Sequence, residues 1–218
     1  PLAFGVEVDE RDVRVGLHPA GHILGSAQVS IRPRRSAPDH RVWVVSGDYK
    51  TELDPTCRAF EPVRCDVFIT ESTFGLPIYR WEPQQQVFDA IVAWWAANRD
   101  AGRASVLFGY ALGKAQRLLA GLRGADIGPI YPHGAVERLT QDYRDAGIAM
   151  PPTTHASLVA RGTSCAGAMI VAPPSAAGST WLRRFGALST GFASGWMRIR
   201  GARRRRALDR GFVLSDHV

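Results

Sequence analysis

The sequence predicts an α/β protein, on three observations. From Gln84 to Ala193, short apolar runs of strand length alternate with stretches of helical periodicity, the pattern of a parallel, doubly wound sheet. The first third alternates apolar and polar residues at period two, as half-buried strands do. Twice, a short apolar run hands over to an acidic residue: Asp48 follows Val42–Val45 and Glu71 follows Val67–Ile69. Carboxyl ends of strands are where α/β sheets commonly place their sites.

Taken in order, 5–10, 13–17 and 27–32 alternate and read as strands, and 42–45 and 67–69 as short buried ones. After Pro83 the period changes. Gln84–Ala101 places Val87, Ile91, Trp94 and Trp95 on one side and reads as an amphipathic helix, so the Trp94-Trp95 pair is expected in a core. A strand at 105–110, a helix at 112–122, a strand at 127–131, a helix at 136–146 and a strand at 169–172 follow. Pro173, Pro174 and Gly178 interrupt the alternation, 179–185 reads as a further helical turn, and 187–193 and 212–214 as closing strands.

The longest apolar stretches are strand-length, well short of the roughly 20 residues of a membrane helix. Residues 1–4 carry no secretory pattern, so a cytoplasmic location and no membrane partner are expected. Cys57, Cys65 and Cys165 are odd in number and lack CxxC spacing, which predicts thiols rather than disulfides or a cysteine zinc site. The net charge of +7 favours a polyanionic partner. It is carried almost entirely by arginine, lysine occurring only at 50 and 114.

Three short stretches offer chemistry. In Gly21-His22-Ile23-Leu24-Gly25-Ser26-Ala27, small residues flank a histidine between two strands, and neutral imidazole is a common zinc ligand. Asp48 in Ser46-Gly47-Asp48 is a strand-end carboxylate of the kind that can bridge two cations, although alone it reads rather as a turn former or a helix cap. Ser215-Asp216-His217 again ends a strand-like run. His18, four residues before His22, is expected not to be a ligand, because Pro19 and Gly21 preclude a helix there.

In combination and in this order, His22 in GHxLGSA, Asp48 in SGDY, Glu71 in TEST and His217 in SDH resemble the metallo-β-lactamase superfamily, and within it the β-CASP branch of nucleic-acid-processing nucleases. Flanking segments, among them 108–116, 171–174, 181–185, 193–197 and 209–212, are similar to bacterial ligase-associated DNA exonucleases, also described as RNA 3′-end-processing factors. The resemblance implies a partial αββα sandwich over 1–76, an inserted β-CASP domain with a parallel sheet over 77–210, and a return to the first domain at 211–218. It departs from the family in lacking an HxHxDH cluster before His22, and a further ligand histidine would lie past Val218, so the chain is expected to be a fragment.

The resemblance also implies a chemistry. Two zinc ions, with manganese as the alternative, would be held in part by His22 and by a bridging Asp48. His217, oriented by Glu71, would protonate the departing oxygen. Gly113 and Lys114 at a helix start suit phosphate, Ser194 and Gly195 could offer backbone contacts to the strand being cut, and Arg203 and Arg204, within an arginine run, suit a nucleic-acid backbone. The expected function is DNA degradation in repair, with an ATP-dependent DNA ligase and a helicase as partners. An RNA 3′-end-processing nuclease and a non-catalytic nucleic-acid-binding fragment are the alternatives.

Overall fold

The computed structural model describes residues 2–34, 38, 40–160, 163–199 and 209–217. The chain divides into two compact units, Pro1–Leu76 with Asp216–Val218, and Pro77–Ser215. It is an α/β protein with one mixed and one parallel sheet.

The first unit is a five-stranded sheet in the order β1 (Glu7–Glu10), β2 (Val13–Pro19), β3 (Ala27–Pro33), β4 (Trp43–Val45) and β5 (Val67–Ile69). Strands β1 to β4 pair antiparallel in succession, and β5 joins β4 in parallel. Two reversals bring β2 into the direction of β4, and β5 shares it. The carboxyl ends of β2, β4 and β5 therefore lie on one edge of the sheet, and these are the ends that lead into His22, Asp48 and Glu71. Period-two alternation is plain in β3, where Gln28 and Ser30 are buried and Val29 and Ile31 half-buried. The edge strand β5 leaves Phe68 and Ile69 exposed. Among the described residues this unit has a single β layer and no α-helix.

The second unit is a parallel sheet in the order β10-β9-β6-β8-β7, formed by β6 (Ala104–Phe108), β7 (Ile130–Pro132), β8 (Met169–Ala172), β9 (Leu188–Ala193) and β10 (Arg210–Phe212). Every residue of β6 and β8 is buried, as expected of strands covered on both faces. One face carries Leu107, Met169 and Val171 against Val87, Ile91 and Trp95 of α1 (Gln84–Asp100), Leu118 and Leu119 of α2 (Lys114–Gly121) and Val136 of α3 (Gly134–Asp145). The other carries Val106, Phe108, Ile170 and Phe192 against Ala176, Leu182, Phe185 and Met197, which sit on short 3-10 turns. The doubly wound expectation is corrected in that respect: among the described residues α-helices cover one face only, and the connection from β8 to β9 is broken by Pro173, Pro174, Gly178 and Gly186.

Trp94 and Trp95 belong to this core. Trp95 donates its indole N–H to the Gly167 carbonyl at 2.8 Å, and Trp94 donates to Ser189 Oγ at 3.3 Å and meets the Phe212 ring edge to face. The α3 helix begins earlier than its apolar pattern suggests, because His133 Nδ1 accepts the Ala135 N–H and caps it. Residues 211–215, expected with the first unit, stay with the second: β10 pairs with β9 in parallel, and the chain re-enters the first unit at Asp216. No helix among the described residues is long and apolar enough to cross a membrane. Cys57, Cys65 and Cys165 are not joined in disulfides.

Candidate metal centre

His22 sits in the tight connection between β2 and β3. The Ala20 N–H reaches the Ser26 carbonyl at 3.1 Å, and Ser26 Oγ accepts the N–H groups of His22 and Ile23 at 3.1 and 3.2 Å. Gly21 is required there. Its φ is +71°, and a Cβ would lie 2.3 Å from the Lys50 carbonyl oxygen and 2.9 Å from the Phe60 nitrogen. Lys50 N–H in turn donates to the Ala20 carbonyl at 3.0 Å, tying the His22 turn to the segment that follows Asp48.

Hydrogen bonds set the protonation of both histidines. His22 Nδ1 lies 2.8 Å from the Asp216 carbonyl oxygen, which can only accept, so Nδ1 carries the proton and Nε2 the lone pair. His217 Nδ1 lies 2.9 and 3.0 Å from the two carboxylate oxygens of Glu71 and likewise donates, which again leaves Nε2 as the basic nitrogen of the neutral ring. The two rings are 4.7 Å apart between centroids, and Phe74 meets His217 edge to face at 5.7 Å.

Asp48 follows Gly47, whose φ of +57° turns the chain at the end of β4. Its carboxylate is well exposed, with Oδ2 3.8 Å from His22 Nε2. Glu71 is the more enclosed acid, with 11% of its side chain exposed. It accepts the Tyr49 N–H at 3.0 Å and the Thr73 N–H at 3.4 Å in addition to His217. Burial raises its pKa, but the hydrogen bonds from Thr73, Tyr49 and His217 together with the His217 charge outweigh that and hold it below the ordinary 4.5.

Among the described residues, one donor atom each from His22, Asp48 and His217 falls within 4.8 Å of the others. Ligands at about 2.0–2.1 Å from a tetrahedral ion stand about 3.4 Å apart, so closing the gaps by at most about 1.4 Å would seat a divalent cation. Two imidazoles with Nδ1 engaged and one carboxylate make a chemically suitable set, and a carboxylate behind one imidazole is a recurring support for a ligand histidine.

His22, Asp48, Glu71 and His217 thus converge. The remaining candidates do not join them. Lys114 is buried, and its ammonium donates to the Leu214 carbonyl at 2.6 Å inside the second unit. The ammonium of Lys114 is thus turned inward on a backbone oxygen, away from the phosphate role expected of it. Ser194 N–H already donates to the Phe212 carbonyl at 3.0 Å, and Gly195 is buried, so neither offers the expected backbone contact to a nucleic acid. Arg203 and Arg204 lie outside the described residues. His18 is held between Glu61 and Ser30, at 3.0 and 3.1 Å.

Two contributors escaped the sequence. The Asp216 main chain fixes the tautomer of His22, a contact across 194 residues with no local signature. Tyr49 supplies an N–H to Glu71; its place directly after Asp48, in the loop that follows β4, was the available hint.

The molecule is therefore an α/β protein whose first unit gathers two histidines and an aspartate at one sheet edge, with a glutamate behind one histidine. Over all 218 residues it is 34% identical to a protein of Opitutus terrae named "Probable DNA ligase", and it spans 21% of that relative's length. No protein-family profile matches the chain.

Proposed function

We propose that this chain carries part of the active centre of a metal-dependent phosphodiesterase acting on DNA, of the metallo-β-lactamase superfamily and its β-CASP branch, in a ligase-associated repair exonuclease. The observation that carries the reading is the convergence of His22, Asp48 and His217 with both imidazole Nδ1 atoms engaged as donors. The relative named as a DNA ligase and the net charge of +7 favour DNA as the polyanion.

His22 and Asp48 would hold a divalent cation, zinc or manganese, and the exposed Asp48 carboxylate is free in geometry to be shared with a second. When bound, such ions lower the pKa of a water and neutralise charge on the phosphate oxygens. In this reading His217, the third member of the cluster, does not hold the ion and serves the departing oxygen instead. With Nδ1–H held by Glu71, the protonated ring gives the proton on Nε2 to the departing oxygen and is left as the Nδ1–H tautomer. The Glu71 carboxylate keeps the ring oriented and stabilises its cationic form.

The test combines metal binding with cleavage. Zinc titration by calorimetry should show binding that Asp48→Ala and His22→Ala abolish. End-labelled single-stranded DNA, duplex DNA and RNA are then offered with zinc or manganese. Metal-dependent loss of label from DNA, absent in Asp48→Ala, is expected. Cleavage confined to RNA would move the protein to transcript processing, and unaltered zinc affinity in both variants would remove the centre altogether.

A further inference from the structure

The second unit gathers three aromatic side chains from two segments far apart in sequence. The Tyr79 ring lies 5.8 Å from that of Trp81, tilted by 32°, and 6.1 Å from that of Trp196, at 88°. Trp196 leaves 39% of its surface exposed, whereas the core indole of Trp95 leaves 1%. Tyr79 and Trp81 are half-buried.

The presentation of Trp196 is built into the fold. It follows β9 on a short turn in which Ser194 Oγ accepts the Trp196 N–H at 3.3 Å, and the Ser194 carbonyl accepts the Met197 N–H at 3.0 Å. Met197 is fully buried in the core beneath the sheet, so the turn is anchored at one residue while the indole beside it faces outward.

Cations alternate with these rings. Exposed Arg80 stands between Tyr79 and Trp81, and exposed Arg198 lies two residues after Trp196. Glu82 is the acidic neighbour in the first segment. In sequence the second segment continues into Arg200 and Arg203–Arg206, which are outside the described residues.

We propose that Tyr79, Trp81 and Trp196 form a base-stacking platform for single-stranded DNA, with Arg80 and Arg198 on its phosphates. Every base has a π face, so rings that reach the surface bind bases without reading sequence, with Trp196 the most exposed of the three, and cations one or two residues away meet the backbone between stacked bases. A duplex hides those faces, which selects a single strand. Clamping a base between Tyr79 and Trp81 would need about 6.8 Å, twice the stacking repeat of about 3.4 Å, so at 5.8 Å no base enters between those two rings. The platform depends on the proposed phosphodiesterase reading only for the choice of DNA over RNA.

Binding is measured by fluorescence anisotropy on the 218-residue chain with an end-labelled oligothymidylate of about 12 nucleotides, within the site sizes usual for such surfaces. EDTA is present throughout, so cleavage and metal binding play no part, and failure of the metal centre leaves this measurement unaffected. Trp196→Ala and Trp81→Ala are each expected to weaken binding by about 5- to 100-fold, the usual effect of losing one stacked base. Trp196→Phe keeps a ring and should recover most of the affinity, which separates stacking from any loss of folding. Arg198→Ala should flatten the salt dependence by about one unit of slope. The duplex of the same sequence should bind more weakly and ignore Trp196→Ala. Wild-type affinity in a Trp196→Ala protein that melts normally would overturn the platform, as would a loss shared equally by duplex and single strand. A preference for oligouridylate above about tenfold would overturn the assignment to DNA.

Discussion

Replacing Glu71 by Gln removes one charge and almost nothing else, which makes it the sharpest probe of the His217 support. At neutral pH the carboxylate receives the Tyr49 N–H and His217 Nδ1–H on one oxygen, at 3.0 and 2.9 Å, and the Thr73 N–H and His217 again on the other, at 3.4 and 3.0 Å. The glutamine oxygen can keep the first pair, but as neutral bonds, each weaker than its charged counterpart by about 1 kcal/mol. Its NH₂ then faces the Thr73 N–H, donor to donor. A loss of about 2 kcal/mol follows, and of about 3–4 for Glu71→Ala, which orphans three donors in a half-buried setting. In a chain of this size that is about 4–8 °C in melting temperature for the glutamine variant. Because the folded pKa of Glu71 lies below 4.5, the charged form contributes stability that is present above 4.5 and is lost as pH falls through the lower folded value. Protonated glutamate resembles glutamine, so the gap between wild type and Glu71→Gln should close over that acid range. Thermal melts between pH 7 and pH 3, with amide exchange at Tyr49 as the local readout, test this. A gap that stays constant with pH would refute the charge-based account, and unchanged Tyr49 exchange in Glu71→Ala would refute the hydrogen bond itself.

Three further outcomes are expected. Gly21→Ala places a Cβ 2.3 Å from a backbone oxygen at positive φ and should cost at least about 3 kcal/mol, with weaker zinc binding because His22 is the next residue; a melt matching wild type would contradict it. His217→Ala should remove DNA turnover while leaving most metal bound through His22 and Asp48, and loss of metal by elemental analysis would instead make His217 a ligand. Lys114→Met takes a buried donor from the Leu214 carbonyl and should lower stability by about 1–2 kcal/mol in urea titration with little change in DNA affinity; a normal melt with weakened, salt-sensitive DNA binding would return Lys114 to a phosphate role.

Much of the fold was legible because it rests on local periodicity. The period-two runs of the first third and the strand–helix alternation after Pro83 each reflect which side chains must be hidden, and the strands and helices appear within a few residues of those limits. Their ends were less legible. The α3 helix starts at a histidine cap that periodicity does not see, and the closing strand is Arg210–Phe212 rather than 212–214 because its register is set by β9. The further helical turn read at 179–185 is a 3-10 helix at Thr180–Phe185, after the break at Pro173, Pro174 and Gly178.

The sequence by itself determined which residues could do chemistry: His22, Asp48, Glu71 and His217 each stand at the end of a strand-like run, in motifs short enough to read without coordinates. Only the tertiary structure decided what those residues are to one another. Two chain reversals align β2 with β4 and β5 and so bring three of the groups to one edge, while a carbonyl 194 residues away chooses the tautomer of His22. Lys114 shows the converse: residue type and helix position suggested phosphate, yet the fold turns its ammonium onto the Leu214 carbonyl. Periodicity is a property of neighbours along the chain, whereas tautomer, burial and the partner of a charge belong to neighbours in space, and those exist only once the chain has folded.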